Sequence, residues 1–487
     1  MQNNERSRED FDVSHRRFTP FRSPLMLRPH WILFFLSVWV AFNSSQYLRA
    51  EQPNVLLIAI DDLNNWVGCL DGHPQAHSPH IDQLAAQGML FSNAHCQAPI
   101  CNPSRTSIMY GLRPSTSGVY MNSPKPWTIK DLQSRITLPR HFAANGYQTF
   151  TTGKIYHGSG LPPNDFDVVG PRPGQRQRID RRLIPPTQDG AKGLWDFGPQ
   201  SYQEELFQDY VDASWAIEIL GRRSEQPFFL AVGFYRPHVP LYSPTRVFNE
   251  ISAEAVQLPQ VKIGDRDDLP SITKTLTIAP AAPDHAWFVE NGRWREAVQS
   301  YLACVRWTDE QVGRLMDALS TSSHAANTIV VLYSDHGFFL GEKERWAKQS
   351  LWEQATRVPL IIKVPGMKQG QRCYRPVELL SIYPTLIDSC GLTIRKDLEG
   401  ISLKPLLQNP NDQWPHMAIT TFGKDNHSVR SESHRYIRYS DGSEEVYDLR
   451  NDPNEWHNLA GDESMSSLKS DMAKFFPEVN AEPAETR

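Results

Sequence analysis

Cysteine is scarce in this chain: six among 487 residues, at positions 69, 96, 101, 304, 373 and 390. So few, so scattered, they exclude a disulfide-stapled scaffold. A bridge between Cys373 and Cys390 is the one pairing an oxidising compartment could favour, and sequence spacing leaves it open. Charge of one sign is lacking as well. Lys and Arg number 50 against 55 Asp and Glu, a net charge of −5, so neither nucleic acid nor an anionic membrane is an indicated partner. The densest basic run, Arg172, Arg176, Arg178, Arg181 and Arg182, reads as a solvated loop, with an acidic polysaccharide as its alternative use. The apolar run Trp31 to Phe42 is shorter than the about 20 residues that span a bilayer. It follows an arginine-rich segment and fits the core of a secretory signal cut after Ala50, an uncleaved anchor being the alternative. The mature chain would then begin near Glu51 as a secreted or periplasmic protein, with no stable membrane partner. No internal repeat is visible.

What is present is an alternation of strand and helix patterns, which predicts an α/β fold with a largely parallel sheet. Four apolar runs end abruptly in polar residues. Asn54 to Ile60 runs into Asp61-Asp62, and Ile329 to Tyr333 into Ser334-Asp335-His336-Gly337. Pro227 to Phe234 runs into Tyr235-Arg236-Pro237-His238, and Gly146 to Thr152 into Gly153-Lys154-Ile155-Tyr156-His157. Between them the patterns predict helices over Asp82 to Gly88, Leu138 to Asn145 and the long amphipathic Trp294 to Leu319. Leu161 to Gln200, rich in Pro, Gly and Arg, is expected as an insertion loop over the site. After about residue 410, Arg435 to Tyr439 and Glu445 to Leu449 suggest strands joined at Asp441-Gly442. The expected organisation is a leader over 1–50, a catalytic domain over 51–409, and a small antiparallel subdomain over 410–487 with a loose polar tail.

In an open α/β sheet, ligands bind outside the carboxyl ends of the strands. Asp61, Asp62 and Asp335, His157, His238 and His336, and Lys154 would therefore share one site. Any one segment could be a plain strand terminus, with Gly337 supplying positive φ for a turn. Three carboxylates in one place, however, need compensation, and a divalent cation with a taste for hard oxygen, Ca²⁺ or Mg²⁺, would supply it. A further segment, Cys101-Asn102-Pro103-Ser104-Arg105, places a cysteine just before a helix expected from Pro103 to about Leu112, where proline is favoured and an anion is stabilised. By itself it is equally compatible with a buried cysteine beside a proline-started helix.

That pentad resembles the maturation signal of type I sulfatases, in which the cysteine is oxidised to formylglycine. With Asp61-Asp62, Gly153 to His157, Arg236 to Pro240, Asp335 to Gly337, Gly341-Glu342, Trp346-Ala347-Lys348 and Tyr447 to Pro453, the chain is similar to type I sulfatases of the alkaline phosphatase superfamily, and among them to iduronate-2-sulfatases. The resemblance runs from Asn54 to about Leu459. It implies an alkaline phosphatase/sulfatase-like fold, a large mixed, mostly parallel sheet between helices. It implies one Ca²⁺ held by Asp61, Asp62, Asp335 and His336 with an oxygen of modified residue 101. Arg105, Lys154, His157, His238 and Lys348 would line the sulfate pocket. His336 stands where many relatives have Asn, as in the iduronate-2-sulfatases; Ile108 and Tyr110 depart from the commonest signal. The implied reaction is a two-step hydrolysis of a sulfated saccharide such as a 2-O-sulfo-uronate. The aldehyde hydrate attacks sulfur, His238 or Lys348 protonates the leaving alcohol, and His157 assists release. Maturation requires a formylglycine-generating enzyme as partner. A phosphate or phosphonate monoester hydrolase of the same superfamily, or a saccharide-binding protein without catalysis, are the alternatives. Trp346 would wall the pocket, and Glu342 to Arg345 are expected on a solvated helix face. His73, His77, His80, His95 and His141 are assigned no role.

Overall fold

Strand Asn54–Ile60 is apolar at nearly every position because both of its faces are covered. Leu56, Ile58 and Ile60 pack with the long helix Trp294–Thr321 on one side. Val55, Leu57 and Ala59 pack on the other with residues of the helices Cys101–Tyr110, Leu138–Ala144 and Ile382–Ser389. A continuous rather than alternating apolar run is what a two-sided central strand requires. In this computed structural model the described residues are 19–20, 52–158, 160–171, 195–277 and 282–485. The leader segment apart from residues 19–20, the basic run at 172–182 and the apolar run at 31–42 lie outside them.

The main sheet has eight strands. In chain order they are β1 (Asn54–Ile60), β2 (Met89–Phe91), β3 (Gln148–Gly153), β4 (Val168–Val169), β5 (Phe228–Phe234), β6 (Thr328–Ser334), β7 (Leu360–Lys363) and β8 (Gln371–Cys373). Their spatial order is β8-β2-β7-β6-β1-β5-β3-β4. β1 runs parallel to β5 and β6, and β3 parallel to β5 and β4. Only β7 opposes its neighbours, so the sheet is mixed and mostly parallel. The carboxyl ends of β1, β3, β5 and β6 therefore lie along one edge, and every one of the four polar segments emerges there.

A second sheet of four antiparallel strands follows: β9 (Ala418–Thr421), β10 (His427–Arg430), β11 (His434–Arg438) and β12 (Glu444–Asp448). It is fused to the main body. The Thr421 N–H donates to the Gln97 carbonyl at 2.9 Å, and the Thr420 hydroxyl to that of Cys96 at 2.6 Å. Phe422, Ile437 and Tyr447 pack with Phe339, Leu351 and Trp352. Residues Gln52–Arg487 form one compact unit. Among the described residues no helix is long and apolar enough to cross a membrane.

Several local expectations change. The segment Leu161 to Gln200 is not all loop: Val168–Val169 is the edge strand of the main sheet, and Phe197–Gln200 pairs with Leu241–Pro244. Trp195 and Phe197 are core residues, so burial overrides the Pro- and Gly-rich composition around them. The tail is not loose either. Ala481 and Ala484 donate to the carbonyls of Ser115 and Gly118 at 2.7 and 2.9 Å, and the Tyr120 hydroxyl bonds to the Ala481 carbonyl. Main-chain groups make these contacts, which a polar composition does not reveal. All six cysteines are free. The Cys373 thiol meets the Pro410 carbonyl at 3.5 Å, while Cys390 lies by Tyr147, so the two thiols have different neighbours.

Burial gives the second sheet a pH dependence. His427 on β10 is 2 % exposed, and that burial depresses its imidazole to about 4. A depressed histidine favours the folded state above its ordinary pKa of 6.5, and that advantage is lost as pH falls toward 4. The loss should reach at most about 3 kcal/mol, and thermal melting between pH 7 and 4 should show His427→Gln declining less steeply than the parent.

Candidate active site

The edge is built by close backbone approach. Gly153 and Gly233 face each other at the ends of β3 and β5. A Cβ on Gly153 would lie 2.0 Å from the Gly233 carbonyl oxygen, and one on Gly233 would lie 2.2 Å from that of Lys154. Only glycine permits that approach, and it sets Lys154 directly over the sheet, with its N–H on the Gly233 carbonyl at 2.8 Å. Asp62 has φ +61°, an uncommon conformation for a non-glycine residue that must be held from outside. Asp335 accepts the Asp62 N–H at 3.2 Å, and Tyr301 on the long helix donates its hydroxyl to the Asp62 carbonyl at 2.8 Å. Tyr301 carried no sequence signal, since it belongs to a helix distant in the chain.

Cys101 starts the helix Cys101–Tyr110 rather than preceding it, with Ile100 as N-cap. Pro103 is tolerated because first-turn N–H groups have no helical partner in any case. The whole helix is buried. The Asn102 amide donates to the carbonyls of Met121 and Pro124, each at 2.9 Å, tying the helix start to a neighbouring loop.

The Cys101 sulfur is ringed by cationic side chains: Lys348 Nζ at 3.2 Å, His336 Nε2 at 3.3 Å and Lys154 Nζ at 3.6 Å. Burial alone would raise this thiol. Lys154, Lys348 and His336, with a hydrogen bond from His157, bring it well below its ordinary value instead. Position 101 is thus a site for negative charge. Two imidazoles are oriented by carbonyls, with His336 Nδ1 on Gly337 at 3.1 Å and His238 Nδ1 on Val239 at 2.7 Å. A carbonyl only accepts, so each Nδ1 carries the proton and each Nε2 is turned to the site. His238 Nε2 lies 3.9 Å from Asp62. Its loop is held by Asp209, which accepts the N–H groups of Tyr235 and Arg236 at 2.6 and 3.1 Å, and by Arg236, which reaches the His238 carbonyl at 2.7 Å.

Asp61, Asp62 and Asp335 are all fully buried. Arg105, also fully buried, binds Asp335 through Nε at 2.7 Å and Asp61 through Nη2 at 3.3 Å, while Nη1 meets the carbonyls of Lys154 and Ile155. It ties the two carboxylates to each other and to the end of β3. Lys154 Nζ pairs with Asp61, and Lys348 Nζ with Asp62 at 2.6 Å. Burial would raise Asp61, but Lys154, His238 and Arg105 hold it well below the usual carboxylate range. At Asp335 burial outweighs Arg105 and His336 and pushes the carboxyl up to about 6.

The metal reading meets a direct test here. Ligand atoms of Asp61, Cys101, Asp335 and His336 lie within 4.8 Å of one another, as do those of Asp61, Asp62, Cys101 and His238. Asp62 Oδ2 is buried with no hydrogen-bond partner. A buried carboxylate oxygen left unpaired is costly, and a hard cation among these oxygen donors would satisfy it. The residues fit.

Other expectations are corrected. Gly337 has no positive φ; it is glycine because a Cβ would lie 2.0 Å from the Gln354 carbonyl. Trp346 does not wall the site: its ring stacks on Phe288 with centroids 3.6 Å apart, inside the core. Glu342 to Arg345 are not a solvated helix face but a short turn with Lys343 and Glu344 at positive φ. Lys343 is buried there, bonding to Asp265 and the Glu455 carbonyl beside the rings of Trp352 and Tyr447. Lys348, three residues past that turn, does reach the site.

A mostly parallel sheet that gathers a cysteine, three carboxylates and a ring of cations at its carboxyl edge defines a metal-capable ester hydrolase of the alkaline phosphatase superfamily. The sulfatase family model matches residues 53–392, and the N-sulphoglucosamine sulphohydrolase C-terminal model matches 341–482. A sulfatase of Formosa agariphila is 40% identical over 446 residues, covering 89% of this chain and 88% of that protein. Human iduronate 2-sulfatase is 32% identical over 420 residues, covering 75% and 74%. The solved structure of a 2-O GAG sulfatase superposes with a TM-score of 0.68 at 23% identity, covering 87% and 91%. This chain belongs to the sulfatase family and is a sulfuric ester hydrolase.

Proposed function

We propose that this enzyme removes sulfate from a sulfated saccharide of the 2-O-sulfo-uronate class, with formylglycine made from Cys101 as its nucleophile and one Ca²⁺ beside it. The observation that carries this reading is the setting of residue 101. Two lysines and two histidines converge on its side chain next to three buried carboxylates, one with an unpartnered oxygen. The names of the iduronate and 2-O GAG relatives support the substrate class. The arginine-rich N-terminus and its apolar run support export, where a formylglycine-generating enzyme would act first and polymeric sulfated sugars are met.

Asp61, Asp62, Asp335 and His336 would hold the calcium, which supplies a Lewis acid for a sulfate oxygen. The aldehyde hydrate supplies a hydroxyl nucleophile and a second hydroxyl that permits release. Lys154 and Lys348, paired with Asp61 and Asp62, would bind the sulfate oxygens as charge grows on them. Lys348 Nζ, or His238 Nε2 once the ring carries a proton on both nitrogens, donates the proton to the leaving alcohol, a contribution of typically 10²- to 10⁴-fold. His157, which hydrogen-bonds to the residue-101 side chain, accepts the proton of the second hydroxyl. Arg105 keeps Asp61 and Asp335 in place throughout.

The decisive experiment is a screen of defined sulfated oligosaccharides, using protein whose residue-101 aldehyde content has been verified by peptide mass. Turnover of a 2-O-sulfated uronate is expected. Faster turnover of an aryl phosphate or phosphonate than of the corresponding sulfate would favour the phosphonate-hydrolase alternative. An unmodified thiol in protein from the native host, with saccharide binding and no turnover, would favour the binding role.

Calcium has its own readout. At a concentration one hundred times its dissociation constant, Ca²⁺ should stabilise the fold by about 2.7 kcal/mol. Melting with and without a chelator should show this, and Asp335→Asn should blunt it. A melting temperature indifferent to Ca²⁺ in the parent protein would refute the metal assignment.

A further inference from the structure

Lys348 is presented by a backbone that would not hold its shape unaided. The residues on either side, Ala347 and Gln349, have φ of +69° and +73°. For residues with a side chain, that conformation is unfavourable and persists only where surroundings over-determine it. Three anchors do so here. Trp346–Ala347 pairs with Phe339–Leu340 before the lysine, and the Gln349 N–H reaches the Pro99 carbonyl at 3.1 Å just after it. The third comes from the other sheet. Arg435 on β11, fully buried, donates through Nη1 to the Leu351 carbonyl at 2.8 Å. Its Nη2 binds Glu353 and the Thr356 hydroxyl, the latter at 3.0 Å, while Nε lies 2.6 Å from Glu455.

One guanidinium thus grips three points along Leu351 to Thr356, the segment that continues directly from Lys348. Glu353 is gripped a second time by Arg430 at 3.0 Å, and its N–H by Glu455 at 2.8 Å. A buried ionic cluster is poor value as stability alone, because apolar side chains would seal the same seam as well. What apolar side chains lack is the planar fork that fixes a carbonyl, a carboxylate and a hydroxyl in one orientation. Lys348 in turn must keep its ammonium 2.6 Å from Asp62 and 3.2 Å from the residue-101 side chain.

We infer that Arg435 is a positioning residue for Lys348, so that the C-terminal sheet, through its hold on Leu351 and Glu353, sets the sulfate-binding geometry at Lys348. The inference rests on the proposed sulfatase chemistry, and it deepens it. A misplacement of about 1 Å at a reacting group can cost about 100-fold. Arg435→Lys keeps the charge but not the fork, and should lower kcat/KM for an activated aryl sulfate roughly 10- to 100-fold in protein that melts as a single transition.

The test is a double-mutant cycle with Lys348→Ala on aldehyde-verified enzyme, joined to hydrogen–deuterium exchange over Trp346 to Leu351. Because Arg435 acts through Lys348, adding Arg435→Lys to Lys348→Ala should cost less than about twofold, and Arg435→Lys alone should speed exchange in that peptide. Losses that multiply in the double variant, parent-level kcat/KM in folded Arg435→Lys, or unchanged exchange would each overturn the inference. Should Arg435→Lys not fold, Glu353→Gln loosens the same clamp and enters the same cycle. A parent enzyme inactive on every sulfate ester would instead overturn the proposed function, and exchange over Trp346 to Leu351 would still decide the role of Arg435.

Discussion

Cys101→Ser should yield a folded protein that carries out one half of the reaction and stops. Serine is close to cysteine in volume, so the buried start of the helix Cys101–Tyr110 should be preserved. Its hydroxyl sits among the same lysines and histidines and can attack sulfur once. It has no second hydroxyl through which the sulfate can leave, so the expected product is a stable sulfate ester on residue 101. Steady-state turnover should fall about 10⁴-fold or more, the scale on which loss of a nucleophile is felt. The measurement is one equivalent of alcohol released per site, with intact mass showing one added sulfate group. Parent-like turnover in this variant would mean that no aldehyde is needed.

Arg105→Met should be the most destabilising single change at the site, costing about 3–5 kcal/mol. The arginine is fully buried and shared between Asp335 and Asp61, and methionine would leave two buried carboxylates short of a cation. Asp335 is already pushed up to about 6 with the guanidinium present, so without it protonation at neutral pH becomes the cheaper state. A protonated Asp335 cannot serve as an anionic metal ligand, and calcium should no longer rescue the fold. Arg105→Lys restores charge without the fork and should lose less. Chemical denaturation at pH 7 with and without Ca²⁺ checks both variants. Unfolding of Arg105→Met within about 1 kcal/mol of the parent would show that the carboxylates are balanced by other groups.

The expectations that survived share a physical basis, as do those that did not. β1 and β6 were legible because a strand buried on both faces must be apolar throughout, and the switch to Asp or Ser marks where the sheet edge meets the site. The long helix over Trp294–Thr321 was legible from its amphipathic period. Trp346 looked like a pocket wall and Glu342 to Arg345 like a solvated face because residues adjacent in sequence to Lys348 were read as sharing its surroundings. Positive φ values at Lys343 and Glu344, and at Ala347 and Gln349 on either side of Lys348, turn neighbouring side chains in different directions, and no local pattern in these non-glycine residues announces that.

By itself, the sequence determined which chemical groups would meet: acids, imidazoles and a lysine at strand ends, because parallel strands deliver their carboxyl ends to one edge. It likewise determined the type of fold and the family. Only the tertiary structure decided how those groups divide the work. It tied Arg105 to both Asp61 and Asp335, brought Tyr301 to the Asp62 carbonyl, and reached across from the C-terminal sheet with Arg435 to the Leu351 carbonyl. Those contacts join residues tens to hundreds of positions apart, and their strength comes from burial. A pattern along the chain can mark which residues are apolar or charged, but the dielectric and the partners that set their behaviour exist only once the chain has closed around them.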